Sequence, residues 1–434
     1  MWMTDLLIAA RSLMQHKRRT FLLGAAIAGV TTLLVLMLSV FAGIERTVVE
    51  SATTLMTGHV NVGGFFKVSA GQSAPVVTRY GEVVKILRAE VPEIDFITDR
   101  GRGWAKVVSS QHSIQLGIAG VDIDKEPGIR RVIQVVEGKL DGLKEPGTIM
   151  IFEEQAKKLG VKVGDPLTIS APTLRGTSNT TDVSVAAIAR NVGLLSSWNV
   201  FIPNETLRKL YQFNPDTTGA VQLYLKNIKD VPKVEERLRV VLAQKGYEIL
   251  DKDPRAFWFK FENVNREPWT GQRLDISSWE DEISFFKFTI TAIQALGNTL
   301  LFILLIIIAV GIMNTLWISI RERTREIGTL RAIGMQRRRV LSMFLTEAFL
   351  LSALATAAGI VIGVLLTLVL NASAISIPEG AQMFLMRDRL VLTLNPIAIL
   401  GGVVLIVSVT TGISLIPSFL AARQKPITAM SSVG

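Results

Sequence analysis

The stretch "ISIRERTREIGTLRAIGMQRRRVL", Ile318–Leu341, carries seven arginines and two glutamates between two long apolar segments. Positive charge concentrated beside apolar segments is typical of a cytoplasmic loop between membrane-spanning helices. The composition agrees, because 49% of the 434 residues are hydrophobic and the mean hydropathy is +0.39, which is high for a soluble protein. The sequence therefore predicts a membrane protein, and the arginines indicate which of its loops face the cytoplasm.

Four apolar segments exceed the ~20 residues that a helix needs to cross ~30 Å of hydrocarbon. The predicted transmembrane spans are residues 21–44, 287–320, 340–370 and 390–422. The first is interpreted as an uncleaved anchor, since the apolar region of a secretory signal has only ~7–15 residues. The second contains 33 uncharged residues, Phe288–Ile320, which as a helix would extend ~50 Å and form a stalk beyond the membrane. Pro396 and Pro417 are expected to mark the two ends of the fourth span.

The distribution of charge predicts the orientation of the chain. Residues 45–286 contain 31 basic and 31 acidic side chains, whereas the net excess of +10 lies in residues 1–20, 321–339 and 423–434. The positive-inside rule therefore places both termini and the arginine loop in the cytoplasm, and residues 45–286 and 371–389 outside it. The same rule accounts for the basic residues without nucleic-acid binding. Residues 1–20 form either an amphipathic helix on the inner membrane surface or the start of the first span.

The large segment between the first two spans has alternating helix and strand patterns, which predict an α+β domain. One module is expected from residues 45–110 together with 217–286. The other, richer in strand patterns, is inserted into it as residues 111–216. The predicted fold class is thus four transmembrane α-helices with a large α+β extracytoplasmic domain inserted between the first and second helices.

Motifs for catalysis are absent from the sequence. GxxxxGK[ST], HExxH and GxSxG do not occur, the three histidines show no ligand spacing, and there is no cysteine. The sequence therefore predicts neither an enzyme nor a metal site, and any ATP hydrolysis is expected on a separate chain.

The segment Asn314–Met430 resembles the FtsX-like permease family of ABC transporters. The resemblance rests on "REIG" followed by "LRAIG" in the arginine loop, on Glu347 early in the next span, and on the terminal "PSFLAARQKP". The outer domain is most similar to the lipoprotein-releasing (Lol-type) permeases of the MacB-like superfamily, through "TGHVNV", "GIAGVD" and "IMIFEEQAKKLGVKVGDPLTI". The MacB-like branch usually carries its ATPase on the same chain ahead of the first span, where only twenty residues stand here.

This resemblance implies a multi-pass permease subunit of a mechanotransmitting ABC transporter in the bacterial inner membrane. Two such subunits, identical or homologous, pair with a dimer of a cytoplasmic ABC ATPase that binds ATP and Mg²⁺, while the permease binds no cofactor itself. The expected activity is release of lipoproteins from membrane lipids to a periplasmic carrier. Two alternatives stay open, a MacB-like efflux permease and an FtsX-like regulator of a cell-wall hydrolase.

The arginine loop is predicted to contain the helix that contacts the ATPase. Ile327, Leu330 and Ile333 recur at the spacing of one helix face, which an unstructured charged loop would not need. Gly334 is expected to end this helix. The predicted coupling residues are Arg325, Glu326, Ile327, Gly328, Leu330, Arg331, Ile333 and Gly334.

Two features of the third span are interpreted from their spacing. Ala355, Gly359 and Gly363 lie four residues apart, which allows close helix packing within one subunit or between two. Glu347 lies about two turns into the span, where it either reaches the cytoplasmic surface or forms a buried hydrogen bond to a polar residue such as Asn298 or Asn314.

Two features of the outer domain are candidate contact sites. Phe285 and Phe286 precede the second span, where they form either an interfacial aromatic belt or a place that admits the acyl chain of a substrate. The segment Ala171–Asp182 joins two strand patterns and is longer than a tight hairpin needs. By the resemblance, its residues Pro172, Leu174 and Arg175 would contact the carrier; otherwise the segment is a plain surface loop.

Overall fold

The computed structural model of the chain describes residues 9–11, 13–15, 17–69, 72–173, 176–191, 193–284, 287–322, 324–378, 382 and 389–423. They belong to two compact units. The membrane unit falls within Met1–Arg46, Thr291–Ser376 and Arg389–Gly434, and the outer domain falls within Thr47–Ile290 and Ile377–Asp388.

The helices and strands are numbered here in chain order. The helices are α1 (Lys17–Ala52), α2 (Tyr80–Glu90), α3 (Ile129–Val132), α4 (Glu153–Leu159), α5 (Gly193–Trp198), α6 (Asn204–Tyr211), α7 (Val231–Gln244), α8 (Phe257–Arg266), α9 (Trp279–Glu282), α10 (Lys287–Glu322), α11 (Thr324–Ala332), α12 (Arg337–Ala372) and α13 (Pro396–Arg423). The strands are β1 (Val60–Ser69), β2 (Gln72–Ala74), β3 (Val77–Thr78), β4 (Ile94–Val108), β5 (Ser113–Val121), β6 (Val135–Gly138), β7 (Thr148–Phe152), β8 (Pro166–Pro172), β9 (Ser178–Ala189), β10 (Asn199–Pro203), β11 (Thr217–Thr218), β12 (Ala220–Leu225) and β13 (Gly271–Ser278).

Four described helices are long and apolar enough to cross a membrane. The qualifying segments are Thr20–Thr57, Thr291–Asn314, Arg337–Ala372 and Pro396–Arg423. This confirms the predicted fold class of four apolar helices with a large domain after the first. The first helix is longer than its apolar core, because a π-helical turn, Thr53–Thr57, continues α1 into the outer domain.

The last helix, α13, contains one proline at its first position and another in its interior. Asn395 accepts hydrogen bonds at its side-chain oxygen from the amides of Ile397 and Ala398, both at 3.2 Å, and Pro396 fills the first position, where no amide hydrogen is needed. The expectation that Pro417 marks the other end was wrong. Pro417 lies inside α13, which continues to Arg423.

An eleven-stranded sheet forms the centre of the outer domain. Its strand order is β13-β1-β12-β4-β5-β10-β7-β9-β6, with β2 paired to β1 and β8 paired to both β4 and β9. The fifteen-residue strand β4 joins two parts of the sheet, because its first half pairs with β12 and its second half with β5. Strands from the two ends of the domain sequence therefore share one sheet with the strands inserted between them.

The core of the outer domain lies on both faces of this sheet. Alternate residues of β1, β12 and β13 contact α2 and α7, as Val62, Val221, Leu87 and Leu238 illustrate. A second cluster forms among β5, β7, β8, β9 and α6, and a third surrounds the π-helical turn through Leu55. The period-two alternation of apolar residues in the strands explains this burial, since every second side chain faces the same side.

The two membrane connections of the domain lie on neighbouring strands. The chain enters the sheet at Val60, directly after the turn that ends α1, and leaves it at Ser278, just before α9. Val60 and Ser278 are paired across the antiparallel ladder of β1 and β13. The first and last strands of the domain therefore begin and end side by side.

Candidate functional site

The predicted coupling segment is a short helix between α10 and α12. This helix, α11, ends at Ala332, and Gly334 follows with a φ of +103°, a conformation that favours glycine. The Arg331 guanidinium donates through Nη1 to the carbonyl of Met335 at 2.9 Å and so binds the turn between α11 and α12. The described part of the arginine loop thus contains a short helix followed by a turn.

The expected contact face of this helix differs in the structure. Ile327 is only 2% exposed and packs in an apolar cluster with Ile320, Phe344 and Ala421. Ile333, in contrast, is 77% exposed. Ile327 and Ile333 therefore do not share one exposed face, because Ile327 belongs to the internal packing of the membrane unit. Gly328 is also buried, and the side chains of Arg325, Glu326 and Leu330 lie outside the described part of the chain.

The small residues of the third span pack against α1 of the same chain. A side chain at Gly359 would meet the carbonyl oxygen of Ala28 at 2.5 Å, and one at Gly363 would meet Val35 at 2.8 Å. Thr32 donates from its hydroxyl to the carbonyl of Gly359 at 3.1 Å, which requires this close approach. Ala355 is buried in the same packing. The small-xxx-small spacing thus brings α1 and α12 together within one subunit.

Glu347 of α12 is buried and lies on the inward side of its helix. Further polar residues are buried in the membrane helices, among them Thr356, Thr410, Ser414 and Ser418. Burial of the carboxyl group fits the reading in which Glu347 has a polar partner inside the protein, and a side chain that reached the aqueous surface would be exposed.

The segment expected to contact a carrier is a tighter hairpin than the sequence suggested. Strand β8 ends at Pro172 and strand β9 begins at Ser178. Five residues therefore connect the strands, where the sequence predicted a segment of twelve. The amide of Thr173 donates to Thr177 O at 2.8 Å, and Gly176 has a φ of +81°. Pro172 is exposed on this hairpin, whereas Leu174 and Arg175 lie outside the described residues.

The aromatic residues before the second span are only partly described. Phe285 and Phe286 lie outside the described residues. In α8, Phe257 and Phe261 pack inward, where Phe261 contacts Phe65 with ring centroids 5.2 Å apart, while Phe259 is 49% exposed. One face of this aromatic helix therefore packs against the core of the outer domain, and the opposite face is exposed.

Buried charges in the outer domain were not singled out from the sequence. Arg100 and Arg102, alternate residues of β4, are 1% and 9% exposed, and Lys260 forms a buried ion pair with Asp275 at 2.8 Å. The pattern "DRGRG" around the two arginines was a usable signal, since charged residues at every second position of an otherwise apolar strand face the same side. Among the described residues, no group of three His, Asp or Glu side chains is arranged to hold a metal ion.

Comparisons with protein families identify both halves of the chain. Residues 298–426 match the model of the FtsX-like permease C-terminal region, and residues 20–241 match that of the MacB-like periplasmic core domain. The match to the MacB-like periplasmic core domain alone covers just over half of the chain. The match to the FtsX-like permease region covers most of α10 and all of α12 and α13.

Curated relatives are larger proteins. Macrolide export ATP-binding/permease protein MacB of Nitrobacter winogradskyi is 35% identical over 152 residues, which are 35% of this chain and 20% of that protein. MacB of Azoarcus sp. is 28% identical over 232 residues, or 51% of this chain and 29% of that protein. The pyoverdine export ATP-binding/permease protein PvdT of Pseudomonas syringae pv. syringae is 34% identical over 128 residues, or 30% and 17%. The chain thus spans less than a third of the length of these relatives.

Two solved structures are also similar. The extracellular domain of the noncanonic ABC-type transporter YknZ from Gram-positive bacteria is 12% identical and matches 43% of this chain and 95% of its own, with a TM-score of 0.30. The periplasmic region of MacB from Actinobacillus actinomycetemcomitans is 11% identical and matches 44% and 85%, with a TM-score of 0.28. On the two family models, which together cover most of the outer domain and of the membrane helices, the chain belongs to the MacB/FtsX type of ABC transporter permeases.

Proposed function

We propose that this chain is the permease subunit of an inner-membrane ABC transporter that converts ATP-driven motion in the cytoplasm into motion of the outer domain. The observation that carries this proposal is the continuity of α1, which runs from Lys17 to Ala52 and then through the π-helical turn to Thr57 without a loop. A continuous helix transmits displacement along its axis, whereas a flexible linker would absorb it.

The cytoplasmic partner in this proposal is a dimer of an ABC ATPase, and the second permease subunit is identical or homologous. The exposed end of α11, around Ile333, supports such a contact because a large apolar side chain stands free at the turn before α12. An ATPase groove that covers this side chain would hold the turn whose geometry Gly334 and Arg331 define.

The substrate in this proposal is a lipoprotein that is released from the membrane to a periplasmic carrier. Support comes from the resemblance of residues 149–169 to Lol-type permeases. The structure forms this stretch into β7, α4 and β8, which leads directly to the hairpin with exposed Pro172. A projecting hairpin on a rigid sheet is a suitable contact for a soluble carrier.

Reconstitution tests this function directly. The complex purified from its native membrane would be placed in proteoliposomes with an acylated lipoprotein, and the lipoprotein in the supernatant would be measured with and without ATP and the periplasmic fraction. ATP-dependent release that requires the periplasmic fraction is expected. Absence of release, with ATP hydrolysis intact, would contradict lipoprotein release.

Export of small molecules is the second candidate function. It is favoured by the names of the curated relatives, which are macrolide and pyoverdine exporters. The same proteoliposomes distinguish the two, because an exporter would move a macrolide or a siderophore in an ATP-dependent manner and would leave the lipoprotein in the membrane.

A further inference from the structure

The end of α1 lies inside the outer domain, where its last carbonyl groups need hydrogen-bond donors. A helix leaves its final carbonyls without partners in the helix, and a buried carbonyl without a partner costs free energy. In the turn at residues 53–56, Tyr224 donates to the first carbonyl at 2.9 Å, Arg100 donates to the second and third at 3.2 and 2.8 Å, and Gln222 donates to the fourth. Side chains of the adjacent strands β4 and β12 therefore donate to four of the five carbonyls of the turn at residues 53–57, the first of which also accepts from the amide of Gly58 at 2.8 Å.

Arg100 is suited to this position by its charge as well as by its geometry. The C-terminal end of a helix carries a partial negative charge that a guanidinium stabilises. Arg100 is buried and forms an ion pair with Glu126, which is buried too. Burial raises the pKa of the Glu126 carboxyl, and the neighbouring guanidinium opposes that rise. The cation is thus held in place from one side by a carboxyl group and bound to the helix end on the other.

Arg102 makes a parallel connection to the segment that leads into the second span. Its Nη2 donates to the side-chain oxygen of Asn61 at 2.8 Å and lies 3.9 Å from a carboxyl oxygen of Glu282. Asn61 and Ser277 donate in turn to Glu282, at 3.4 and 2.7 Å. Glu282 is the last residue of α9 and lies five residues before α10. The centroid of the Phe257 ring lies 4.2 Å from the Arg102 guanidinium, and Arg102, Asn61 and Glu282 are buried.

The two arginines connect both helix ends to the same strand. They are alternate residues of β4 and so face the same side of the sheet. Arg100 holds the end of the first membrane helix and Arg102 holds the start of the path to the second. β4 is also the strand that joins the two parts of the sheet. A displacement of either helix end would therefore reach the ladder hydrogen bonds of the whole sheet.

We infer that Arg100 and Arg102 are the positioning residues through which movement of the two membrane helices is passed to the outer domain. This inference rests on the proposed mechanical function and names the residues that would transmit the displacement of the helices to the outer domain. Ion pairs as buried as these contribute little net stability compared with apolar packing of the same volume. Their role is to fix one geometry of the helix ends relative to the sheet.

Hydrogen exchange of the full chain in lipid nanodiscs tests the connection without any substrate. In the wild type, the amides of residues 54–59 should exchange slowly. The double variant Arg100→Met with Glu126→Gln removes both charges and should raise exchange there by about tenfold or more. Tyr224→Phe removes one donor and keeps the ring, so a rise of about three- to tenfold is expected in the same residues.

The controls separate this effect from general loss of structure. Arg239 also donates to strand carbonyls, those of Leu250 at 3.0 Å and of Ile276, but it makes no hydrogen bond to the turn at residues 53–57. Arg239→Met should leave exchange at residues 54–59 unchanged, and Arg100→Lys should restore part of the protection. Arg102→Met should raise exchange at residues 279–284. Unchanged exchange at residues 54–59 in both the double variant and Tyr224→Phe would overturn the inference.

A functional readout then distinguishes the connection from the transport proposal. In proteoliposomes, Tyr224→Phe and the double variant should hydrolyse ATP as the wild type does but move less substrate per ATP. If the wild type moves substrate and variants with faster exchange keep the same ratio, the inference fails. If the wild type moves no substrate, the transport proposal fails, whereas the exchange result still decides whether the arginines hold the helix ends.

Discussion

Arginine has different physical roles in the outer domain and in the loop between α10 and α12. In the outer domain, Arg100 and Arg102 are buried, and each binds defined oxygen atoms. In the loop, Arg337, Arg338 and Arg339 are exposed at the first turn of α12. Three cations at a helix N-terminus oppose the helix dipole, so helix stability does not explain them, whereas the predicted cytoplasmic position of this loop would. Each buried cation specifies one local geometry through its own contacts. Exposed cations are expected to orient the chain together, through their total number and the side of the membrane on which they lie.

The largest test of this difference is removal of a partner from a buried cation. Lys260 and Asp275 are both buried and contact each other through two hydrogen bonds of 2.9 and 2.8 Å. Asp275→Ala should lower the free energy of unfolding by about 3–5 kcal/mol, because it leaves an uncompensated charge in the core. Urea unfolding of the detergent-solubilised chain, followed by tryptophan fluorescence, measures the change.

The matched control is an ion pair on the surface. Glu262 and Arg266 lie 2.5 Å apart in α8, with side chains 72% and 75% exposed. Glu262→Ala should change the free energy of unfolding by less than about 0.5 kcal/mol. Equal effects of the two substitutions would contradict the distinction between buried and exposed charges.

A second test compares two isoleucines of the arginine loop. Ile327→Asp places a carboxylate in the apolar cluster around Phe344 and should destabilise the membrane unit by about 2–4 kcal/mol. Ile333→Asp should leave stability unchanged, because the side chain is exposed, but should weaken co-purification of the ATPase. Thermal unfolding and co-purification from the membrane check both. If both variants still co-purify with the ATPase, the contact at the end of α11 is refuted.

A smaller effect concerns the pH dependence of the buried network. Burial raises the pKa of Glu282 above its ordinary value, so that the folded state binds its proton more tightly than the unfolded state does. This contribution to stability is complete below the unfolded pKa and is lost as pH rises through the raised folded pKa. Glu282→Gln, which stays neutral, should therefore flatten the fall in stability between pH 4.5 and the folded pKa. Urea unfolding across this pH range would show the same slope for both chains if the idea is wrong.

The smallest expected effect is at a single exposed arginine. Arg338→Gln removes one of three adjacent cations, so the loop keeps its positive excess. Stability should change by less than about 0.5 kcal/mol. Orientation, measured by protease access to the outer domain in spheroplasts, should be unchanged. An inverted chain would mean that this arginine acts individually, as the buried ones do.

Particular residues illustrate how far the sequence predicts the structure. The four membrane helices follow from apolar segments that no soluble fold explains. The close helix packing at Gly359 and Gly363 follows from the spacing of these residues. The separation of Ile327 from Ile333 could not be predicted, because helical spacing identifies a face but not what covers it. The length of the β8–β9 hairpin was overestimated, since polar residues such as Asn179 and Thr181 continue the strand through pairing with β8.

The sequence by itself determined that this chain spans a membrane four times, that a large α+β domain follows the first span, and that it resembles the FtsX-like permeases. The spans depend on hydropathy and charge summed over many residues, the α+β domain on local periodicity, and the resemblance on short motifs, and none of these depends on distant contacts. Only the tertiary structure decided that Tyr224, Gln222 and Arg100 meet the end of α1. The strands that carry them are separated by more than 100 residues in the chain, and the pairing of β4 with β12 brings them together.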